Sequence, residues 1–105
     1  MESRIDLALA LRAYQYLADL GLARGRGGLA EGEPFVLIAL EVANEVTAAD
    51  FLSSLRSAEP AINSEVLEAL ERSSFCRVGG ALVVRFTFGS HMEAAYFCKQ
   101  TLHHC

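Results

Sequence analysis

The chain has 105 residues, 52% of them hydrophobic and 21% charged, with a formal net charge of −4. That length fits one domain with one core, the balance is that of a folded globular protein, and the negative charge argues against non-specific capture of nucleic acid, which needs clustered positive charge. No apolar run reaches the ~18 residues of a membrane span, and Glu2, Arg4 and Asp6 stand where a signal peptide would be basic and then apolar. Three irregularly spaced cysteines make no disulfide framework, so the expectation is reduced thiols in an intracellular chain, nuclear or cytoplasmic.

The first predicted element is a helix from Arg4 to Leu20. Ser3 and Asp6 have the spacing of a capping box, and Ile5, Ala8, Leu9, Ala13, Tyr16 and Leu20 recur at helical intervals. Leu7, Leu11, Tyr14 and Ala18 form a second apolar row, so the helix is either buried on two sides or keeps one row for a partner. Gly21 is placed to end it in the left-handed conformation, with Leu22 making the accompanying apolar contact.

Residues 23–33 contain Gly25, Gly27, Gly28 and Gly32 with Arg24 and Arg26 between them, the composition of a flexible linker. A phosphate-cradling or Arg-Gly RNA-binding loop is the functional counterpart, but there is no Gly-Lys-Ser/Thr ending and no strand is predicted before it. In the apolar run after Pro34, the polar positions Glu41, Asn44 and Glu45 follow i, i+3, i+4, and proline is tolerated at a first helical position, which together predict a helix over 34–46. Its β-branched content keeps a buried strand as the alternative.

Thr47 and Asp50 form a capping box for a helix starting at Ala48, with Phe51, Leu52 and Leu55 as its stripe and Glu59-Pro60 as its stop. Another helix follows from Asn63 or Ser64, with Val66, Leu67 and Leu70 on one side and Glu65, Glu68, Glu71 and Arg72 on the other. Phe75 to Val78 and Ala81 to Phe88, rich in β-branched and aromatic residues, flank Gly79-Gly80, which can supply positive φ twice, and so predict a hairpin.

Two short helices followed by a hairpin is the order of elements in winged-helix domains, and residues 34–88 resemble that superfamily at the level of fold. The resemblance implies an α+β, mostly helical architecture: an N-terminal helix plus a winged-helix-like three-helix unit ending in a β-hairpin, with 34–46 as the first of the three. The strand alternative for 34–46 would give a mixed α/β domain.

Lys99, the only lysine, and His91, His103 and His104, the only histidines, all follow Phe88. At that break Gly89-Ser90-His91-Met92 reads as a vector-derived joint, the remnant of histidine-tag removal followed by a cloning-site methionine. The chain then divides into a domain, 1–88, a joint, 89–92, and a fused amphipathic partner peptide, 93–105. The peptide places Ala94, Phe97, Cys98, Thr101, Leu102 and Cys105 along one side of a helix, the pattern of anchors laid into a groove. Phe97, Cys98 and Leu102 are the candidate anchors, and Leu7, Leu11, Tyr14, Val36 and Leu40 the candidate walls. A joint of this length spans at most about 14 Å, so the peptide docks near the end of the hairpin or exchanges between two chains as a swapped homodimer.

Catalytic chemistry finds little support in the sequence. Adjacent His103, His104 and Cys105 cannot converge with Cys98 on one metal without an irregular backbone. Cys76, beside Arg77, lacks a histidine base anywhere in 1–88 and reads as a small hairpin residue facing the core. Glu65, Glu68 and Glu71 read as a solvated face, and Ser53, Ser54, Ser73 and Ser74 have no histidine partner. The expectation is a non-enzymatic interaction domain, an adaptor or complex subunit, that binds a short amphipathic helix and uses no cofactor or metal. The alternatives are a winged-helix nucleic-acid-binding or transcription-related domain, whose helix from Asn63 would set acidic residues against phosphates, and a non-catalytic fragment of a larger enzyme.

Overall fold

A computed structural model describes residues 4–29, 34–43, 45–57 and 64–101. In chain order the elements are α1 (Leu7–Asp19), β1 (Ala23–Leu29), β2 (Phe35–Leu40), α2 (Ala48–Arg56), α3 (Ser64–Arg72), β3 (Ser74–Val78), β4 (Ala81–Thr87) and α4 (His91–Thr101). The strands form one antiparallel sheet in the order β1-β2-β4-β3, giving a small α+β domain with a radius of gyration of 12.7 Å.

Local chemistry sets the helix ends. Asp6 caps α1, its carboxylate accepting from the Leu9 N–H at 3.3 Å; Ser3, the expected capping residue, lies outside the described residues. At the other end Gly21 adopts φ 75°, its N–H donates to the Ala18 carbonyl at 2.9 Å, and the Leu22 N–H donates to that of Leu17 at 2.8 Å. This is the Schellman arrangement, satisfying two carbonyls the helix leaves open. The capping box at α2 is formed in both directions, with the Asp50 N–H donating to Thr47 Oγ1 at 3.1 Å and the Asp50 carboxylate accepting from the Thr47 N–H. The end of that helix precedes Glu59-Pro60, which lies outside the described residues.

Two expectations for the first half of the chain are corrected. The run after Pro34 is the strand β2, not a helix over 34–46: burial alternates with period two, Val36, Ile38 and Leu40 facing inward and Phe35, Leu37 and Ala39 outward. Glu41 and Glu45, read as one polar helical face, follow the strand, and Asn44 lies outside the described residues. Residues 23–29 are not a linker but the strand β1, pairing with β2 through Ala23↔Leu40, Gly27↔Ile38, Gly28↔Leu37 and Leu29↔Val36, with an irregular step between Ala23 and Gly27. Glycine disfavours a strand locally, but a partner offering a ladder of hydrogen bonds overrides that preference. The three-helix unit expected over 34–88 therefore lacks the helix that was to open it.

The centre of the sheet is the pairing of β2 with β4, from Phe35↔Thr87 to Leu40↔Leu82. On its inner face Val36, Ile38, Leu40, Leu82, Val84 and Phe86 join one core with Ala10, Ala13 and Leu17 of α1, Phe51 and Leu55 of α2, Val66, Ala69 and Leu70 of α3, and Ala94, Phe97 and Cys98 of α4. Phe35, Leu37, Ala39 and Val83 point to the other face and are not part of that core, although Val83 itself is buried beside its paired neighbours Ala39 and Cys76. Over Phe35 the Arg85 guanidinium lies 4.9 Å from the ring centroid, a cation–π contact.

The β3–β4 hairpin turns at Gly79 (φ 57°) and Gly80 (φ 86°), the pair of positive angles that a two-residue type I′ turn requires. A Cβ at Gly79 would meet nothing within 4 Å, so the cost of a side chain there is one of backbone conformation alone. Gly79→Val is expected to lower unfolding stability by about 1–2 kcal/mol, with Gly79→Asn recovering most of the loss because asparagine tolerates the left-handed region; urea titration of both variants measures it.

Candidate functional site

The site is built around α4. Ser90 prepares its first turn, the Ser90 Oγ accepting from the Glu93 N–H at 3.2 Å and its carbonyl from the Ala94 N–H at 3.2 Å. Ala94, Phe97, Cys98 and Thr101 then recur at helical spacing; the first three are fully buried, while Met92 and Tyr96 on other sides of the helix are exposed. The buried stripe packs against α1, β1 and β2.

Phe97 is the centre of this contact. Its ring meets Tyr14 of α1 edge-on at 6.1 Å between centroids, Phe86 of β4 at 5.7 Å and Phe88 just after it at 5.2 Å. The separations fall in the range for interacting aromatic pairs, with edge-to-face geometry at Tyr14 and Phe86 and a tilted one at Phe88. Thr101 closes the stripe by donating from Oγ1 to the Phe97 carbonyl at 2.8 Å.

Of the wall residues read from the sequence, Tyr14 is in ring contact with Phe97, and Leu7 and Leu11 are half-buried members of the same α1 row, packed against the core. Val36 and Leu40 are buried on the inner face of β2, as strand residues rather than as the helical residues expected of them. Among the anchors, Phe97 and Cys98 are both fully buried, and Leu102 lies outside the described residues. Phe86 and Phe88 were missed as walls. Their signal was present, two phenylalanines at the end of a predicted strand, but nothing in the spacing indicates that both meet one ring.

Two cysteine expectations change. Cys98 is disulfide-bonded, its partner lying outside the described residues, so cysteine usage gives no argument for a reducing compartment. Cys76 is free and exposed, on the face of the hairpin turned from the core. His103, His104 and Cys105 lie outside the described residues, and among the described ones no cluster of three metal-ligating side chains occurs.

The acidic face of α3 is paired with arginines. Glu65 meets Arg12 of α1 at 3.2 Å, Glu68 meets Arg72 one turn on at 3.3 Å, and Glu71 meets Arg56 of α2. These are largely exposed pairs, each worth about 0–1 kcal/mol, and they offer no convergent carboxylates for acid–base chemistry. A second concavity, of about 440 Å³, opens between the end of α1, the segment after β2 and α2, lined by Leu20, Leu22, Val42, Ala43, Val46, Phe51, Ser54 and Leu55. It contains no ionisable side chain and, being assembled from three separate segments, left no pattern in the sequence.

Comparison of the chain with protein-family models, curated proteins and solved structures gives no match. What the geometry defines is a small α+β domain with a helix seated between α1 and the sheet. Truncating the buried ring by Phe97→Ala is expected to cost about 3–5 kcal/mol of unfolding stability, whereas Tyr96→Ala, at a half-exposed neighbour, changes it by about 0.5 kcal/mol or less; paired urea or thermal melts separate the two.

Proposed function

We propose that the protein is a non-enzymatic interaction domain whose groove, between α1 and the inner face of the β1-β2 half of the sheet, receives a short amphipathic helix. In this reading residues 93–105 are the occupant, tethered through 89–92. The observation that carries it is Phe97: one fully buried aromatic residue from the C-terminal segment, enclosed by Tyr14, Phe86 and Phe88. A helix presenting a central aromatic anchor with small neighbours, here Ala94 and Cys98, is a recurrent mode of peptide capture. The composition break after Phe88, with all lysine and histidine beyond it, supports the separate origin of that segment.

The framework beneath the groove is, in the same proposal, a variant winged helix in which α1 takes the place expected of 34–46. Helix α1, strand β2, helices α2 and α3 and the β3–β4 hairpin then form the unit, with β1 and α4 added to it. That arrangement favours a second reading as a nucleic-acid-binding domain, but α3 turns Glu65, Glu68 and Glu71 outward, and its neighbouring arginines are engaged with them. Protein, not phosphate, is the partner that such a surface suits.

Both readings are testable on the full chain. A protease site inserted between Gly89 and Ser90, cut after folding, leaves α4 held only by its contacts and by any disulfide. The peptide is then expected to exchange with labelled 93–105 in micromolar amounts, and a competitor carrying Phe97→Ala to be at least about tenfold weaker. A cut chain that unfolds, or that never exchanges its peptide under reducing conditions, would instead make α4 a permanent part of the core. A fluorescence titration with duplex DNA at physiological salt is expected to show no sub-micromolar binding; a steep salt dependence of tight binding would favour the second reading.

A further inference from the structure

We infer that the outer edge of β3 (Ser74–Val78) is a docking edge for the same strand of a second copy of this chain, paired antiparallel about a two-fold axis at Cys76. This does not depend on the groove reading. β3 pairs with β4 on one side and is the terminal strand of the sheet order. Val78 and Ala81 flank the two-residue turn at Gly79 and Gly80 and so form a hydrogen-bonded pair, and alternation from there makes Cys76↔Val83 and Ser74↔Arg85 hydrogen-bonded as well. The N–H and C=O groups of Phe75 and Arg77 therefore point away from β4, to the open side. Ser74, Cys76, Arg77 and Val78 are exposed, Val78 to 56%.

Sheet edges in soluble proteins are ordinarily protected by proline, bulges or charges set on the strand. β3 has no proline, and its paired register is unbroken from Ser74 to Val78. Its one charge is drawn back, the Arg77 guanidinium donating to the Gly80 carbonyl at 3.1 Å and to the Val46 carbonyl. Among the described residues, the edge is thus left as an unguarded row of donors and acceptors.

The residue pattern selects a second copy as the occupant. With the axis at Cys76, Phe75 of one chain faces Arg77 of the other in two hydrogen-bonded pairs, so the arginines stand beside aromatic rings rather than opposite each other. Ser74 faces Val78, and Cys76 faces its own counterpart. Because the Cys76 backbone groups point inward to β4, that central pair is of the non-hydrogen-bonded kind, with Cα atoms about 4.5 Å apart. This lies within the roughly 4.4–6.8 Å that a disulfide accepts. A two-fold perpendicular to the sheet also keeps both sets of helices on one side and joins the Val78, Val83 and Ala39 faces of the two copies into one surface.

The test uses the full chain and changes only exposed side chains. By sedimentation, Cys76→Ser is expected to show a concentration-dependent mass approaching twice the chain's 11.4 kDa, while Cys76→Lys, which sets two ammonium groups against each other at the axis, remains monomeric with an unchanged melt. Oxidised glutathione should convert the unsubstituted chain to a covalent dimer: two Cys76 thiols give up two protons and two electrons to form the S–S bond, and the glutathione disulfide is reduced to two thiols. Register is read by placing Ser74→Cys and Val78→Cys in separate Cys76→Ser chains, where the mixture should cross-link at least tenfold faster than either chain alone. A Cys76→Ser chain that stays monomeric at several hundred micromolar, a Cys76→Lys chain that associates equally well, or Ser74→Cys chains that cross-link as fast by themselves as in the mixture would each overturn the inference.

Discussion

The ladder between β2 and β4 is the constraint on which the remaining structure depends. It joins two hairpins that are far apart in the chain, β1-β2 and β3-β4, and fixes which side of each strand faces the helices. Because side chains alternate, a slip of one residue would send Val36, Ile38 and Leu40 to the outer face and bring Leu37 and Ala39 inward. Each large side chain on the inner face gains about 1.5–3 kcal/mol from burial, so the register is held by the core and not by the turns alone. The chain before and after the ladder is tied to its ends: the Ile5 N–H donates to the Thr87 carbonyl at 2.8 Å, the Phe88 N–H to that of Pro34 at 2.7 Å, and the Glu41 N–H to that of Leu22 at 2.7 Å.

Once the ladder fixes an apolar face, the helices are its cover, and α4 completes that cover at the aromatic end. Tyr14, Phe86, Phe88 and Phe97 come from the first helix, the end of the central strand, the residue that follows it and the last helix. Such contacts add about 0.5–1.5 kcal/mol per aromatic pair beyond the area they bury. A helix held this way satisfies the geometry of a bound peptide and of a core element alike. The two differ in whether the groove persists when the helix leaves, which is a property of α1 and the sheet rather than of α4.

Much of the second half of the fold was legible because local signals and tertiary structure agree there. Thr47 and Asp50 form their capping box, α3 begins at Ser64, and Gly79-Gly80 makes the hairpin turn, each dictated by residues within a few positions of one another. The first half was misread where the deciding partner is distant. Residues 35–40 are uniformly apolar, so the sequence carries no period of its own, and pairing on both sides, by β1 and β4, makes them a strand. The Arg-Gly stretch takes its strand pairing from β2. At the site, Phe97 and Tyr14 could be picked out as apolar residues in excess of helical need, whereas Phe86 and Phe88 required the sheet to be in place, and the outward orientation of Cys76 required the register of β3 on β4.

Arg12, Arg56 and Arg72 lie around α3, where in a nucleic-acid-binding helix they would serve phosphates, yet each is matched by a glutamate of α3 itself. Exposed pairs of this kind contribute little to stability, but they remove the clustered positive potential that draws a polyanion. Arg85 lies on Phe35 and Arg77 is bonded to carbonyls of its own chain, so these two cations are already engaged with a ring and with backbone. Among the described residues, what such a surface still offers is apolar area and a terminal strand: the cleft beside Leu20, the outer face around Leu37 and the margin of β3. Those are features that other polypeptides recognise through backbone pairing and shape. Among the described residues, the same sheet that four helices cover on one side thus leaves its other side and the margin of β3 uncovered.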